Sequence, residues 1–502
     1  MKKLNIRMTS KFYRTLLFGM SLLICSVAFG QKTVTPEDVQ KDRARNIVVP
    51  KSYGTYKWTK DYVEEEPEAD YLHASEKAYE DFRDIKYSIR IHWGVYSKWG
   101  IEASWPFLKM SNEKKQEYQD LYKSFNPADF NADEWMDWFK NCGMQAFAFT
   151  TKHHDGFSMF HTKTRVTKRA NYVTGSKPVI EDCDLSYSIE ETPFKRDIVK
   201  ELCDAAHRKG IKIDLYFSHP DWYDADFRPY VSHPLGNIAH TPEEANRFMS
   251  RHREQLHELL TMYGKIDMIC LDMSLGAEVW PQLRETVKLM RTWQPDVMIR
   301  NRGIGNYGDY FQPEQNVPKG VESTNMPWMS ICLLGKIFAY DPKAENYKGA
   351  GWVIHNLIDC VAKGGSFMVC LGPDEKGKFH PKAIEQLEEV GRWLKVNGKG
   401  IYETRDREVW KEGGNEGNIK FTRSKDSKTV YAFVEKFPEK ELVIESLTPK
   451  DGSEVRLLGY DKPLEWRKAD DKGIIVTIPD ELQSPEKRPC NYAWTFKLEP
   501  AN

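Results

Sequence analysis

The strongest constraint on this chain is a rhythm. Between residues 80 and 400, short and nearly continuous apolar runs alternate with amphipathic stretches of helical period. Residues 87–97 (YSIRIHWGVYS), 144–151 (MQAFAFTT), 211–218 (IKIDLYFS), 265–272 (KIDMICLD), 296–302 (DVMIRNR) and 366–371 (SFMVCL) read as strands. The helices between them carry their own punctuation. Asn131 caps a segment whose Glu134 completes a capping box; Trp135, Trp138 and Phe139 form its apolar face, and Gly143 ends it. Residues 195–208 place Ile198, Leu202 and Ala205 on one face and stop at Gly210. Thr241 with Glu244 opens a helix that runs to Gly264, and further helices are expected at 279–292, 351–363 and 381–396. Strands without polar alternation must be covered on both faces, so the pattern predicts a parallel sheet wrapped by helices.

Two α/β topologies satisfy that pattern, a doubly wound open sheet and a (β/α)8-like TIM barrel. No GxGxxG or GxxxxGK[ST] follows a strand, which disfavours the nucleotide-binding version. The span 80–400 suits a barrel with long loops. Beyond residue 401 the texture changes. Residues 430–435, 441–446, 454–458, 473–478 and 493–498 are short strand candidates, separated by Asp451-Gly452, Asp470-Asp471 and Pro479-Asp480. A C-terminal β-sandwich over 401–502 is expected. Residues 31–79, rich in Lys, Glu and Pro, read as an extended N-terminal arm.

The first thirty residues read as a secretory signal. Lys2, Lys3, Arg7, Lys11 and Arg14 precede the uncharged apolar run 16–30. That run is shorter than the roughly 20 residues a bilayer span needs. Ala28-Phe29-Gly30 supplies small residues before a cleavage that leaves Gln31 as the new terminus. Export to the periplasm or the medium is expected, with no membrane span after signal removal. An uncleaved anchor is the second reading; lipid attachment at Cys25 is a third, opposed by the bulky Ile24 before it. Eight Cys follow the leader without a CxxC pair, and Cys270, Cys332 and Cys370 sit in apolar runs as small buried hydrophobes do.

Composition removes other classes. Lys plus Arg total 73 against 74 Asp plus Glu, a net charge of −1, which leaves no basic footprint for nucleic acid. The 40% hydrophobic content is too high for a disordered chain. The surplus is aromatic, with 15 Trp, 24 Tyr and 24 Phe. Such rings are core filler or the stacking walls of a binding site, so their placement decides.

In a barrel, catalytic groups project from the C-terminal strand ends. Here those ends carry His92-Trp93, then Lys152-His153-His154-Asp155-Gly156-Phe157, then Tyr216-Phe217-Ser218 with Asp221-Trp222, then Asp272, then Arg300-Asn301-Arg302. Glu314 follows in a long loop. Five consecutive strand ends agree. The three histidines read as donors to a polyhydroxylated ligand. Zinc ligation is disfavoured because adjacent strand residues point to opposite faces, and no cofactor is expected. An acid ending an apolar strand is costly unless functional or paired, so Asp272 stands out, with helix capping as its bland role. With a second carboxylate it would form the pair used in glycoside hydrolysis. Glu314 is that candidate, or else a solvated loop residue. Trp93, Trp105 and Trp222 are candidate apolar walls, or core.

Taken together, these residues resemble the alpha-L-fucosidases of glycoside hydrolase family 29. The matching pieces are IHWGVYS (91–97), MQAFAFTTKHHDGFSMF (144–160), residues 194–218, the Asp-ending strand 266–272, NR with GDYFQPEQ (301–315) and AKGGSFMVCLGPDEKGKFHP (362–381). The resemblance implies a retaining exo-glycosidase, with a barrel and a C-terminal β-sandwich, that removes terminal fucose from oligosaccharides or glycoconjugates. By motif, Asp272 matches the nucleophile, and His92, His153 and His154 match residues that bind the sugar hydroxyls. Arg302 matches an Arg at a fixed distance before the acid/base, which implies Glu314 in that role, with Glu322 as runner-up. Tyr216 or Phe217 falls on a paired aromatic position, and which one faces inward is left open. The chain departs from the family at Cys270, where Trp is usual, around Trp328-Met329, and at Ser104-Trp105, where a Glu-Trp pair is usual. These changes motivate two alternatives, a related sugar or a silent glycan-binding homologue. A catalytic Glu314 is expected to be buried or beside another carboxylate, which would keep it protonated.

Overall fold

The computed structural model describes residues 34–173, 178–227, 235, 241–319, 324–413, 419–469 and 473–500. The predicted leader and Glu322 lie outside the described residues. Among those described, no helix is long and apolar enough to cross a membrane.

The apolar runs become parallel strands: β1 (Tyr87–Ile91) and β2 (Ala146–Lys152), then, after a hairpin of β3 (Val166–Asn171) and β4 (Val179–Leu185), β5 (Lys212–Ser218), β6 (Met268–Asp272), β7 (Met298–Ile299), β8 (Met329–Leu333) and β9 (Ser366–Leu371). The parallel sheet has the order β7-β6-β5-β2-β1-β9-β8. Every residue of β1, β2, β6, β8 and β9 is buried, as expected of strands covered on both faces.

An irregular eighth segment closes the barrel. Residues 309–314 make parallel bridges from Arg300 to Tyr310 on one side, and from Phe311 to Trp328 and Glu314 to Ile331 on the other. The Asp309 amide donates to the Ile299 carbonyl at 2.7 Å, and the Gln315 amide to the Ile331 carbonyl at 2.8 Å. Among the described residues no α-helix follows β7 or this segment, only a 3-10 turn at Gly305–Tyr307. The chain there carries Gly303, Gly305, Gly308, Pro313 and Pro318, residues that oppose helix propagation.

The arm occupies the place those helices would fill. It is folded onto the barrel, where the sequence suggested a mere extension. The Val49 amide donates to Asn306 Oδ1 at 2.9 Å, and the Tyr53 hydroxyl donates to the Gln312 carbonyl at 2.5 Å. Buried Asp309 gathers the Ala74 amide, the Tyr79 hydroxyl and the Arg291 guanidinium on its carboxylate. A helix at Glu76–Asp84 then packs Phe82 against Tyr310, ring centroids 4.9 Å apart.

The remaining helices follow the sequence signals closely. Asn131 Oδ1 accepts from the Asp133 and Glu134 amides at the start of Ala132–Asn141. Gly210 closes Ile198–Lys209 in the left-handed region, and the Thr241–Glu244 capping box opens Pro242–Thr261. The run 87–97 is strand only to Ile91; Val95–Lys98 is a single 3-10 turn. The C-terminal region forms two antiparallel sheets facing one another across a core of Phe421, Leu442, Ile444, Val476 and Phe496. The five expected strands are present, joined by Ile419–Ser424 and several two- or three-residue strands too short to show a period.

Candidate active site

Side chains on a strand alternate, so residues two apart share a face. That parity builds the barrel interior from Ser88, Arg90 and His92; Asp214, Tyr216 and Ser218; Cys270 and Asp272; Arg300 and Arg302; and Gln312 and Glu314. The last member of each series reaches the C-terminal rim.

Asp272 is 7% exposed. Its Oδ2 accepts from the Tyr216 hydroxyl at 2.6 Å, and His154 Nε2 lies 3.8 Å from the same oxygen. Its Oδ1 accepts from Arg302 Nη1 at 2.6 Å and from Arg300 Nη1 at 3.3 Å. Burial by itself pushes this carboxyl upward, but Arg302, Arg300, His154 and the Tyr216 hydrogen bond outweigh it and hold the group well below the usual carboxylate range.

Glu314 stands across the same guanidinium. Its Oε1 accepts from Arg302 Nη1 at 2.7 Å and from Arg300 Nη2 at 2.8 Å. One nitrogen of Arg302 thus serves both carboxylates, and their oxygens are no more than about 5.3 Å apart. The side chain is 34% exposed, facing the barrel mouth. Of the expected surroundings, the second carboxylate is there in Asp272 and full burial is not; two guanidinium groups are in direct contact with Glu314.

The three histidines converge beside this pair. The expectation that His153 and His154 point apart fails. The β2–β5 register slips between Thr150 and Lys152, the two residues lie in the turn beyond β2, and their rings come within 4.1 Å. Each has a fixed partner: His153 Nδ1 with Ser104 Oγ at 2.6 Å, His154 Nδ1 with Ser218 Oγ at 2.7 Å. His92 packs on Phe338, Tyr216 and His153. Burial drives His92 and His153 well below their ordinary value and lowers His154 to about 4, against the opposing pull of Asp272. All three are therefore neutral at neutral pH, and a neutral imidazole offers a donor and an acceptor for sugar hydroxyls. Among the described residues His154 Nε2 has no hydrogen-bond partner.

The loops that carry the histidines are pinned from below. The buried Lys152 ammonium reaches Asp221 Oδ2 at 3.6 Å, and Arg251 Nη1 donates to the same oxygen at 2.5 Å. The Trp222 amide donates to the His154 carbonyl at 2.8 Å. Gly156 closes the turn at φ +84°, where a Cβ would stand 2.0 Å from Asp221 Oδ1.

Strand parity also sorts the aromatics. Tyr216 faces inward to Asp272, while Phe217 faces outward against His252 and the Lys152 ammonium. Trp222 and the partly exposed Trp105 meet His154 at 5.3 and 4.6 Å and form one wall. Trp93 does not join them. It follows inward-facing His92, so it points outward, packs among Phe125, Phe130, Trp135 and Phe149, and donates its indole hydrogen to the Asp374 carbonyl. Phe157 is likewise core, packed on Phe125 and Tyr187.

Arg300 and the tier beneath the site were not recognised from sequence as functional. Cys270 receives Arg90 Nη2 at 2.9 Å and Arg300 Nη1 at 3.4 Å, with Asp214 3.8 Å from Arg90. At Cys270, where the resemblance leads one to expect Trp, this chain has a small thiol in contact with two arginines. The parity of Arg90, Asp214 and Arg300 with their rim neighbours was the available signal. All eight described cysteines are free thiols.

A barrel whose rim presents two adjacent carboxylates, neutral imidazoles and an aromatic wall is the architecture of a glycoside hydrolase. The comparisons with known proteins narrow that class. The family model for alpha-L-fucosidase matches residues 57–399, and that for the alpha-L-fucosidase C-terminal domain matches 414–499. The chain is 27% identical over 457 residues to the plasma alpha-L-fucosidase of Pongo abelii, covering 83% of this chain and 89% of that protein. It is 26% identical over 456 residues to the human tissue alpha-L-fucosidase, with 83% and 88% covered. Alpha-L-fucosidase isoenzyme 1 from Paenibacillus thiaminolyticus superposes with a TM-score of 0.72 at 25% identity, covering 85% of this chain and 99% of that one. An alpha-L-fucosidase from Bacteroides thetaiotaomicron, trapped as a covalent intermediate, gives 0.70 at 22% identity, with 88% and 98% covered. The chain belongs to the alpha-L-fucosidase family.

Proposed function

We propose that this protein is a retaining exo-glycosidase that removes terminal alpha-L-fucosyl residues from oligosaccharides or glycoconjugates, with Asp272 as nucleophile and Glu314 as acid/base. One observation carries the reading: a single Arg302 nitrogen contacts both carboxylates. Retaining pairs stand about 5–5.5 Å apart, whereas inverting pairs leave roughly 6.5–9.5 Å for a water.

The geometry also accounts for the charge traffic. In the first step Asp272 forms an ester with the anomeric carbon and loses its negative charge. Glu314 gives its proton to the departing oxygen and gains one. The site then carries one carboxylate charge before and after, and Arg302 faces both positions, so little reorganisation is needed as charge moves. In the second step Glu314 takes a proton from water, which attacks the ester. His92, His153 and His154 hold the hydroxyls, and Trp105 with Trp222 supplies an apolar wall for the methyl group of the sugar. The basic and apolar leader supports export, to the periplasm or the medium, as the setting.

Asp272→Gly assayed on an aryl alpha-L-fucoside tests the reading. Turnover should fall by roughly a thousandfold or more, and azide should restore part of it by forming a fucosyl azide. Wild-type turnover in the variant would refute the nucleophile, and NMR of the first-formed sugar showing inversion would refute retention.

A further inference from the structure

Of the fifteen tryptophans in the chain, two are exposed, Trp58 at 44% and Trp105 at 40%. Both lie at the mouth of the same site. Trp105 belongs to the wall on the His154 side. Trp58 comes from the N-terminal arm and stands on the arginine side, its ring 4.7 Å from the guanidinium carbon of Arg302. That guanidinium is the one shared by Asp272 and Glu314.

The position of Trp58 is built. It lies in the one-turn helix Tyr56–Thr59, whose Thr59 is buried. The arm is fastened on either side: the Tyr53 hydroxyl donates to the Gln312 carbonyl at 2.5 Å, and Trp280 Nε1 donates to Glu64 Oε2 at 3.0 Å. Tyr53, Tyr56 and Tyr62 around it are half-buried against the main core, whereas Trp58 is exposed and sets its ring over the Arg302 guanidinium. An indole on a fastened arm, 44% exposed and set over a catalytic-site arginine, is poorly explained as core.

Its place relative to the reaction says what it would meet. The fucose sits below, among the histidines and Asp272. The departing group leaves past Glu314, the carboxylate that protonates it, toward the mouth. A single guanidinium separates Trp58 from Glu314, so the indole borders the space of the first residue beyond the scissile bond. We propose that Trp58 is the stacking platform of the leaving-group subsite, taking the apolar face of a pyranose linked to the fucose. The proposal rests on the fucosidase reading and names a specificity-determining residue for it. Binding energy gained there is available to the bond-breaking step and not only to affinity.

The test compares Trp58→Ala and Trp58→Phe with wild type on two substrates, a fucosylated trisaccharide and alpha-L-fucosyl fluoride. The fluoride has the same glycone and no ring beyond the scissile bond. The ratio of kcat/KM for the trisaccharide over that for the fluoride should drop about tenfold in Trp58→Ala, as expected for loss of an aromatic anchor, and recover in part in Trp58→Phe. Thermal melting should be unchanged, since an exposed ring is removed. An unchanged ratio overturns the proposal, whether activity on both substrates is intact or falls in parallel; parallel loss would make Trp58 a positioning residue for Arg302. A wild-type enzyme inert on the fluoride would instead overturn the fucosidase reading, and this inference with it.

Discussion

Tyr216 donates its phenolic hydrogen to Asp272 Oδ2 at 2.6 Å, from one strand to the end of the next. The register pairs Tyr216 with Cys270, so the hydroxyl reaches one inward-facing position further up β6. This bond helps keep Asp272 ionised while leaving it to one side of the arginines. Tyr216→Phe removes it without changing shape. We expect kcat/KM on an aryl fucoside to fall about tenfold or somewhat more, the worth of a hydrogen bond to a charged group, and the melting temperature to fall by a few degrees because a buried carboxylate loses a partner.

Arg302→Gln keeps a hydrogen-bond donor and removes the charge. Arg302 is the foremost of the groups that pull Asp272 down against its burial. Its loss raises the Asp272 carboxyl, so the acid limb of the kcat/KM profile moves to higher pH. The rate itself should drop on the order of a hundredfold, as when a preorganised electrostatic group is deleted. A profile with an unmoved acid limb would argue that Arg302 only fills space.

Glu314→Ala separates acid catalysis from general damage. A fucoside whose leaving group needs no protonation should lose far less activity than a natural oligosaccharide. Measured side by side, equal losses on both would remove Glu314 from the acid role.

Trp93 and Trp222 were grouped by sequence and are separated by structure. Trp93→Ala should cost about 3–5 kcal/mol of stability, because it empties a packed aromatic cluster. KM of the protein that still folds should change little. Trp222→Phe should do the reverse, raising KM with a small change in stability. Chemical denaturation and Michaelis–Menten kinetics on both variants check the contrast.

Asp214 provides a pH test of the buried tier. Burial pushes its carboxyl up to about 6 against the pull of Arg90 and Arg300. A group raised on folding adds stability that is fully present below its unfolded value, near 3.9, and is lost as pH rises through its folded value. Wild type should therefore lose stability relative to Asp214→Asn between about pH 4 and pH 7, by up to about 3 kcal/mol. Melting temperatures of the pair across that range would show it; parallel curves would count against it.

Local periodicity made much of this molecule legible. The caps at Asn131 and Thr241, the stop at Gly210 and the apolar strands are decided within a few residues. The same locality marks His92, Asp272 and Arg302 as strand-end polar groups. What escaped reading has no local signature. β8 is held by its ladder to β9, and the closing segment 309–314 by bridges to distant strands, in a stretch broken by glycine and proline. The service of the arm as barrel wall depends on Asp309 and Asn306, more than 200 residues away. His153 and His154 were expected to diverge because an ideal strand was assumed, and a slipped register let them meet.

The sequence by itself determined the alternation that makes a barrel with a β-rich tail, and the cluster of ionisable groups at its strand ends. It did so because hydrophobic period and capping are properties of neighbouring residues. Only the tertiary structure decided which of those groups touch. Asp272 and Glu314 lie 42 positions apart in the chain and meet at one arginine because barrel closure brings β6, β7 and the 309–314 segment side by side. Strand parity then turned Tyr216 inward and Trp93 outward. A hydrogen bond of under 3 Å is a matter of long-range geometry, and no spacing in the chain encodes it without the fold.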